Sequence, residues 1–263
     1  MNQSQQHYTF GDTALAAERL RLLASVFAPS SSLLLAGLTG VAGELGVDLG
    51  CGPGYTTQLV ADRVALKRVV GLDQSPRLLE QATRERGSDR LSFAQADVSA
   101  PPFPLPPASF LYSRFLLTHL KDPEKIVRNW ATVALPDARL VLEETAFMTG
   151  EHPAFPRYYG HVERMQAHYG QRMYIGRELE ALGASSEWVV ERSDIAVSPL
   201  PAADMARLHF FNLRTWSKDP FAQSNFDALE LSQIGHELEQ IAAGYLEAPP
   251  VSCGIGQVVL RRA

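Results

Sequence analysis

Residues 47–57 read VDLGCGPGYTT, in which three glycines fall within five positions directly after a short apolar run. An apolar run that ends in glycines is typical of a strand that turns sharply before a helix. Such turns often lie against a ligand, because glycine lets the backbone come close to it. The residues around this stretch must therefore indicate which ligand it serves.

Two well-known glycine loops can be compared with it. The phosphate loop of nucleoside triphosphatases needs Gly, four residues and then Gly-Lys-Ser/Thr, but no lysine precedes Lys67, so that pattern fails. A dinucleotide loop needs G-x-G-x-x-G/A. Gly50 and Gly52 have that spacing, whereas Tyr55 occupies the third position, where a bulky side chain obstructs close packing of helix on strand. The dinucleotide alternative is weakened but stays open.

Composition bounds the class of protein. The chain has 263 residues, 46% of them hydrophobic and 20% charged, which is the balance of a soluble globular protein. A net charge of −5 without a basic run argues against nucleic-acid binding. No apolar stretch approaches the ~20 residues that span a bilayer. Cys51 and Cys253 belong to no zinc-type cluster. We expect a cytoplasmic monomer or homodimer that acts on a small molecule, without a metal, a membrane or nucleic acid.

Strand-like and helical patterns alternate between residues 44 and 145. The short apolar runs are LGVDLG, RVVGLD, LSFAQAD, SFLYS and RLVLEE. The helical patterns between them are YTTQLVADRVA, SPRLLEQATRER and DPEKIVRNWATVAL. This alternation predicts an α/β fold, a parallel sheet with helices on both faces.

The flanking segments are predicted to be mainly helical. We expect two helices before the sheet, over 14–27 and from Ser30–Ser32 to about Gly40, on either side of Pro29. Late in the chain we expect a helix rich in Tyr and His, an amphipathic helix in IGRELEALGA, and helices over 202–217 and 225–246 with SKDPFAQSN between them. Two further strand-like runs are SEWVVERSDIAVS and GIGQVVLRR. We divide the chain into N-terminal helices (1–43) that cover the cofactor site and a core (44–263) with lid insertions at about 145–175 and 199–250.

Three acids mark three successive strand ends. The opening stretch has the order acidic-x-Gly-x-Gly-x-Gly, formed by Asp48, Gly50, Gly52 and Gly54. Asp73 closes RVVGLD, 23 residues after Gly50, and Asp97 closes LSFAQAD. Over roughly residues 44–145 this arrangement resembles the class I S-adenosylmethionine-dependent methyltransferases, most of all the type 11 and ubiquinone-biosynthesis-like small-molecule enzymes. The resemblance implies a Rossmann-like, doubly wound and mostly parallel seven-stranded sheet, with S-adenosyl-L-methionine as cofactor.

The resemblance also implies a role for each acid. Asp48 would complement the methionine ammonium, Asp73 the ribose hydroxyls and Asp97 the adenine amino group, with the backbone N–H of Val98 on an adenine nitrogen. Each acid has a structural alternative, since Asp48 could satisfy loop N–H groups and the other two could cap helices. Further cofactor contacts are expected from Tyr8, Gln74, Ser113 and Arg114.

Candidates for chemistry follow the fourth and fifth strands. His119 lies where the family often has a histidine beside the cofactor, and Glu144 or its neighbour Glu143 reaches the pocket, since they face opposite sides of the sheet. His161 lies on one helical stripe with Tyr158 and Met165. We take His119, Glu144 and His161 as catalytic candidates, with simple packing as the alternative for each.

One departure from the family concerns the turn before the fifth strand. The usual Lys-Pro-Gly-Gly is replaced by LPDARL, in which Asp137 can form the turn after Pro136. Taken together, we predict methyl transfer to a small molecule, a polar aromatic compound or another secondary metabolite, with O-, N- or C-methylation open. The alternatives are a non-methylating enzyme such as a cyclase on the same fold, and a nicotinamide oxidoreductase.

Overall fold

The computed structural model describes residues 14–184 and 187–263. They form one seven-stranded sheet, whose strands are β1 (Ala42–Leu49), β2 (Ala65–Asp73), β3 (Leu91–Gln95), β4 (Ala108–Arg114), β5 (Ala134–Thr149), β6 (Trp188–Leu200) and β7 (Val251–Arg262). The strand order is β3-β2-β1-β4-β5-β7-β6. Strands β1 to β5 are parallel, and β7 runs antiparallel between β5 and β6. The predicted doubly wound, mostly parallel sheet is confirmed.

Helices cover the sheet and extend beyond its carboxyl edge. They are α1 (Ala14–Ala36), α2 (Tyr55–Arg63), α3 (Pro76–Arg86), α4 (Pro123–Trp130), α5 (Ala154–His168), α6 (Leu179–Gly183), α7 (Ala202–Trp216), α8 (Pro220–Asn225) and α9 (Ala228–Ala243). Single 3₁₀ turns occupy Leu117–His119, Ala131–Val133 and Ile175–Arg177. None of the helices in the described ranges is long and apolar enough to cross a membrane.

The core has three parts that follow this layering. Leu34 and Leu35 of α1 pack with α2 on one face of the sheet, and Trp130 packs with α6 on the other. The third part lies between α5, α7 and α9 around Trp216. This last cluster holds the late helices against β5 and β7 at the carboxyl edge of the parallel strands. The helices therefore form one wall of the space above that edge.

The first helix differs from the prediction. Two helices were expected on either side of Pro29, whereas α1 runs unbroken from Ala14 to Ala36. Proline lacks the N–H that would bond one turn back, and this weakens a helix interior. Here both halves of the helix bury apolar side chains, Phe27 before the proline and Leu34 after it. Burial of the two halves outweighs the single missing hydrogen bond.

Other boundaries also differ. IGRELEALGA was expected to form one helix but forms the 3₁₀ turn Ile175–Arg177 and then α6, because Gly176 packs directly against the backbone of β5. SKDPFAQSN was expected to be a connection but contains α8, whose first turn is capped by Asp219 accepting from the Phe221 N–H at 2.8 Å. The RLVLEE strand is longer than expected, since β5 extends from Ala134 to Thr149.

Candidate functional site

A large cavity of about 580 Å³ lies at the carboxyl ends of the central strands. It opens where the strand order reverses between β1 and β4, which is where open α/β sheets bind ligands. One end is formed by the loops after β1, β2 and β4, and the other by α1, α5 and α7. Of the predicted site residues, those on the wall are Gly50, Gly52, Asp73, Gln74, Val98, Arg114 and His119. Tyr8 lies outside the described residues.

The glycine loop needs its glycines for two different reasons. Gly52 has a φ of +52° and lies on the cavity wall, where its N–H donates to a carboxylate oxygen of Asp73 at 2.8 Å. Gly54 has a φ of +81°, and a Cβ there would lie 2.6 Å from the Phe93 ring. Gly54 therefore does not touch the cavity but lets α2 start close to β3.

Asp73 is the acid that the fold brings to the wall. Its second oxygen accepts from the Ser75 N–H at 2.9 Å, while the Ser75 side chain caps α3 by accepting from Leu78. Ser75, not Asp73, is thus the helix cap. The aspartate bridges the end of β2 and the Gly52 turn, with its carboxylate beside the open space.

Asp48 lies behind the loop. Its carboxylate is fully buried and accepts from the Thr56 and Thr57 hydroxyls at 2.6 and 2.7 Å, at the start of α2. Burial raises the pKa of Asp48 to about 6, against the lowering effect of the two threonines. Asp48 does not line the cavity, so in this arrangement it satisfies α2 and the loop.

Asp97 is not brought together with Asp73. Its side chain is exposed and accepts from the backbone N–H and the hydroxyl of Ser99, at 2.9 and 2.6 Å. The adjacent Val98 does line the cavity, held there because its carbonyl accepts from the Trp130 indole at 2.7 Å. The turn after β3 thus brings Val98 to the wall, whereas the Asp97 side chain is exposed.

The end of β4 presents a cation. Arg114 lines the cavity and donates to the Ser31 hydroxyl of α1 at 2.9 Å. Ser113 points into the protein, and its buried hydroxyl makes no hydrogen bond to any described residue. Arg114 therefore links the sheet to the helix that covers it.

His119 lies on the wall at the end of the 3₁₀ turn after β4. Burial, and to a smaller extent the nearby Arg19 guanidinium, lower the pKa of His119 to about 3. The imidazole is therefore neutral at neutral pH. Gln171 contacts the ring and supports its orientation.

Glu143 and Glu144 point to opposite sides of the sheet, as strand alternation predicts. Glu143 accepts from Tyr112 and from Gln257 inside the core. Glu144 accepts from the N–H groups of Leu116 and Leu117 at 2.7 and 2.6 Å. Neither carboxylate lines the cavity. Burial raises the pKa of Glu144 to about 8.

His161 lies away from the cavity. Its Nε2 is 3.3 Å from a carboxylate oxygen of Glu230, and its ring centroid is 4.6 Å from that of Phe226. Tyr158, one turn earlier on α5, does line the cavity. The stripe that contains both residues is a packing face, and only its first residue reaches the open space.

Two amide side chains of the late helices lie on the wall and were not singled out from the sequence. Gln166 of α5 and Asn212 of α7 both line the cavity. Gln166 falls four residues after Val162, which also lines it, and Asn212 falls three residues after His209. A helical spacing of three or four residues, counted from Val162 and His209, could have indicated both positions.

The central part of the chain matches a known protein family. Residues 47–142 match the sequence profile described as "Methyltransferase domain". A trans-aconitate 2-methyltransferase of Streptomyces coelicolor is 36% identical over 100 residues, which are 36% of this chain and 33% of that protein. The match thus spans about a third of that relative's length.

Solved structures share the fold across most of the chain. A Bacillus halodurans protein classed as a methyltransferase has a TM-score of 0.59 at 16% identity, over 88% of this chain and 97% of its own. The [4+2]-cyclase SpnF has a TM-score of 0.54 at 16% identity, over 98% of this chain and 85% of its own. Likeness at this level of identity concerns the fold alone.

Proposed function

We propose, from the match of residues 47–142 to the methyltransferase domain profile, that the chain transfers a methyl group from S-adenosylmethionine to a small molecule. The acceptor in this proposal is a polar aromatic compound of secondary metabolism, and the reaction takes place in the cytoplasm. Helix α1 acts as the N-terminal cover, and α5 and α7 act as the lid over the acceptor.

One observation carries the proposal: a single cavity joins the glycine loop to the late helices. Methyl transfer requires the donor and the acceptor to meet in one space without water. Gly52 and Asp73 lie at one end of this space, and Tyr158 and His209 lie at the other. A binding protein for a nucleotide alone would not need the second end.

The loop end fits the cofactor. A Cβ on Gly52 would have Leu20 as its nearest neighbour at 3.9 Å, so the space in front of the backbone is open. The Asp73 carboxylate can accept from ribose hydroxyls, and Val98 lies where an adenine would pack. Bound there, S-adenosylmethionine would supply the methyl group that the acceptor receives.

The other predicted residues have different roles in this proposal. His119 is a neutral imidazole on the wall and can accept a hydrogen bond from the substrate that receives the methyl group. Glu144 acts through the turn that carries His119, so it is a positioning residue. Asp48 organises the glycine loop from behind. His161 has no contact with the cavity and takes no part.

A cyclase-like alternative is favoured by one comparison, since SpnF has this fold and is named as a cyclase. The two functions differ in the fate of the methyl group. Incubation with cofactor labelled in its methyl group and a panel of phenols separates them. Label in the phenol supports methyl transfer, whereas cofactor binding without any transfer supports the alternative.

Titration calorimetry with S-adenosylhomocysteine and with NAD tests the cofactor. We expect S-adenosylhomocysteine to bind and NAD not to bind. Asp73→Ala should weaken binding at least tenfold, and Asp62→Ala, on the exposed face of α2, should leave it unchanged. Asp73→Asn keeps the shape of the side chain and an oxygen that can accept from Gly52. It therefore checks that the weaker binding of Asp73→Ala does not come from loss of the Gly52 hydrogen bond. Binding of NAD alone would overturn the proposal.

A further inference from the structure

The acceptor end of the cavity is mainly apolar, but it also carries Arg19, Tyr158 and a polar trio. Its apolar wall is formed by Leu23, Phe27, Val162, Met173, Met205 and Leu208. The polar trio consists of Gln166 on α5 and of His209 and Asn212 on α7. All three are nearly enclosed, with exposed fractions of 3%, 2% and 8%.

Each member of the polar trio has a buried polar atom without a hydrogen-bond partner: Oε1 of Gln166, Nδ1 of His209 and Oδ1 of Asn212. Leaving such an atom unpaired costs about 1–3 kcal/mol. All three residues line the same cavity, but these three atoms are themselves enclosed, so a ligand in the cavity reaches an amide oxygen only after the amide has turned. Amides can rotate to present either an acceptor or a donor.

His209 is held in place by its neighbours. Its Nε2 lies 3.1 Å from the Tyr159 hydroxyl, and its ring stacks on Tyr158 with centroids 4.5 Å apart. Nε2 is thereby paired, and Nδ1 has no hydrogen-bond partner among the described residues. Burial lowers the pKa of His209 to about 3, so the ring is neutral at neutral pH.

Charge is scarce at this end. Among the described residues that line the cavity, Asp73 is the only carboxylate, and Arg19 and Arg114 are the only permanent cations. Asp73 and Arg114 belong to the loop end, which leaves Arg19. A tricarboxylate such as trans-aconitate needs several cations to offset its desolvation. A neutral hydroxyl or carbonyl needs only hydrogen-bonding partners.

We propose that Gln166, His209 and Asn212 receive the oxygen of an uncharged aromatic acceptor such as a phenol, whose carbon skeleton packs on the methionines and leucines of the wall. This proposal rests on the proposed function, since it concerns the acceptor of that reaction. It assigns a substrate class that differs from the tricarboxylate in the relative's name. Tyr159 acts as a positioning residue through His209.

The test uses the fluorescence of 1-naphthol and of naphthalene, a pair that differs by one hydroxyl, on the full chain saturated with S-adenosylhomocysteine. We expect 1-naphthol to bind at least tenfold more tightly than naphthalene. Gln166→Leu and Asn212→Leu should each remove most of that preference, because they keep the volume and delete the hydrogen bond. Gln233→Leu, on the exposed side of α9, is the matched control.

Competition completes the test. We expect trans-aconitate not to displace 1-naphthol. Equal binding of the two probes, or displacement by trans-aconitate at comparable concentration, overturns the proposal. So does a result in which both leucine variants leave the preference intact, since the polar atoms would then serve buried water. Tyr159→Phe supplies a second readout. We expect it to weaken the preference for 1-naphthol, and its melting temperature checks that it still folds.

The outcome is separable from that of the proposed function. If S-adenosylhomocysteine binds but the hydroxyl gives no preference, the polar trio has another role and the cofactor assignment stands. If S-adenosylhomocysteine does not bind and the chain alone still prefers 1-naphthol to naphthalene, the acceptor site stands and methyl transfer fails.

Discussion

The Glu144 carboxylate accepts from the backbone N–H of Leu117 at 2.6 Å, which ties the middle of β5 to the turn after β4. The same oxygen accepts from Leu116 at 2.7 Å. That turn ends in His119 on the cavity wall. Glu144 thus does not line the cavity itself. It supports the wall through two hydrogen bonds to the backbone of the turn that carries His119.

Glu144→Gln should change how stability depends on pH. Burial raises the folded pKa of Glu144 to about 8 from an ordinary 4.5. The folded state then holds a proton that the unfolded state has lost. This contribution is fully present below pH 4.5 and is lost as pH rises through 8, at on the order of 1.4 kcal/mol per pH unit. Glutamine keeps the acceptor oxygen and does not titrate.

Urea unfolding of wild type and Glu144→Gln at pH 6 and pH 8 measures this. Asp48 contributes in the same direction but mainly below pH 6, where its raised pKa lies. We expect wild type to lose about 1–3 kcal/mol more than the variant between the two pH values. Glu151→Gln, at an exposed position, should follow wild type. Parallel losses in wild type and Glu144→Gln would show that Glu144 is ionised at both pH values.

His209→Gln should flatten the acid side of the stability profile. The pKa of His209 is lowered to about 3, and that of His119 also to about 3. The unfolded chain therefore takes up protons below pH 6.5 that the folded chain does not. Stability is fully present above pH 6.5 and is lost as pH falls toward 3.

Unfolding between pH 6.5 and 4.5 reports the number of histidines involved. We expect His209→Gln to reduce the slope by about one proton, or ~1.4 kcal/mol per pH unit. His236→Gln on the exposed side of α9 should leave the slope as in wild type. An unchanged slope in His209→Gln would mean that this ring is protonated in the folded state.

Gly54→Ala should destabilise the fold without touching the cavity. A side chain at φ +81° is strained by about 1–2 kcal/mol, and its Cβ would also collide with Phe93. We expect a loss of at least about 2 kcal/mol in urea unfolding. Gly160→Ala on α5 has open space around its Cβ and should be neutral or stabilising by about 0.5–1 kcal/mol. Equal effects would contradict the packing explanation.

Much of the sheet could be predicted because strand and helix periods differ. The runs that became β1 to β3 are short and apolar and end at glycine or acid, so local pattern and burial agree. The prediction at Pro29 was wrong because a local helix-breaking signal competes with burial on both sides, and only packing decides that competition. The α8 helix was missed although its Asp219-Pro220 start is an ordinary helix N-terminus.

The site was less predictable than the fold. Sequence placed three acids at three strand ends, but strand ends do not fix where side chains point. Asp73 faces the cavity, Asp48 faces α2, and Asp97 turns to Ser99. Those orientations depend on the hydroxyls and N–H groups of neighbouring elements, which no single-strand pattern contains. The late helices were harder still, since a stripe such as that of Tyr158 and His161 does not reveal where the wall ends.

Ser31→Ala should weaken cofactor binding although Ser31 lies on α1 and not on the loop. Its hydroxyl accepts from Arg114 at 2.9 Å and holds that guanidinium at the wall. Without it, the arginine must be ordered by the ligand, which costs rotamer entropy. We expect about a fivefold weaker affinity for S-adenosylhomocysteine in calorimetry. The control is Ser32→Ala, because the Ser32 hydroxyl is not bonded to Arg114. This variant should bind S-adenosylhomocysteine as tightly as wild type does. Equal affinities in all three proteins would show that α1 covers the cavity without organising Arg114.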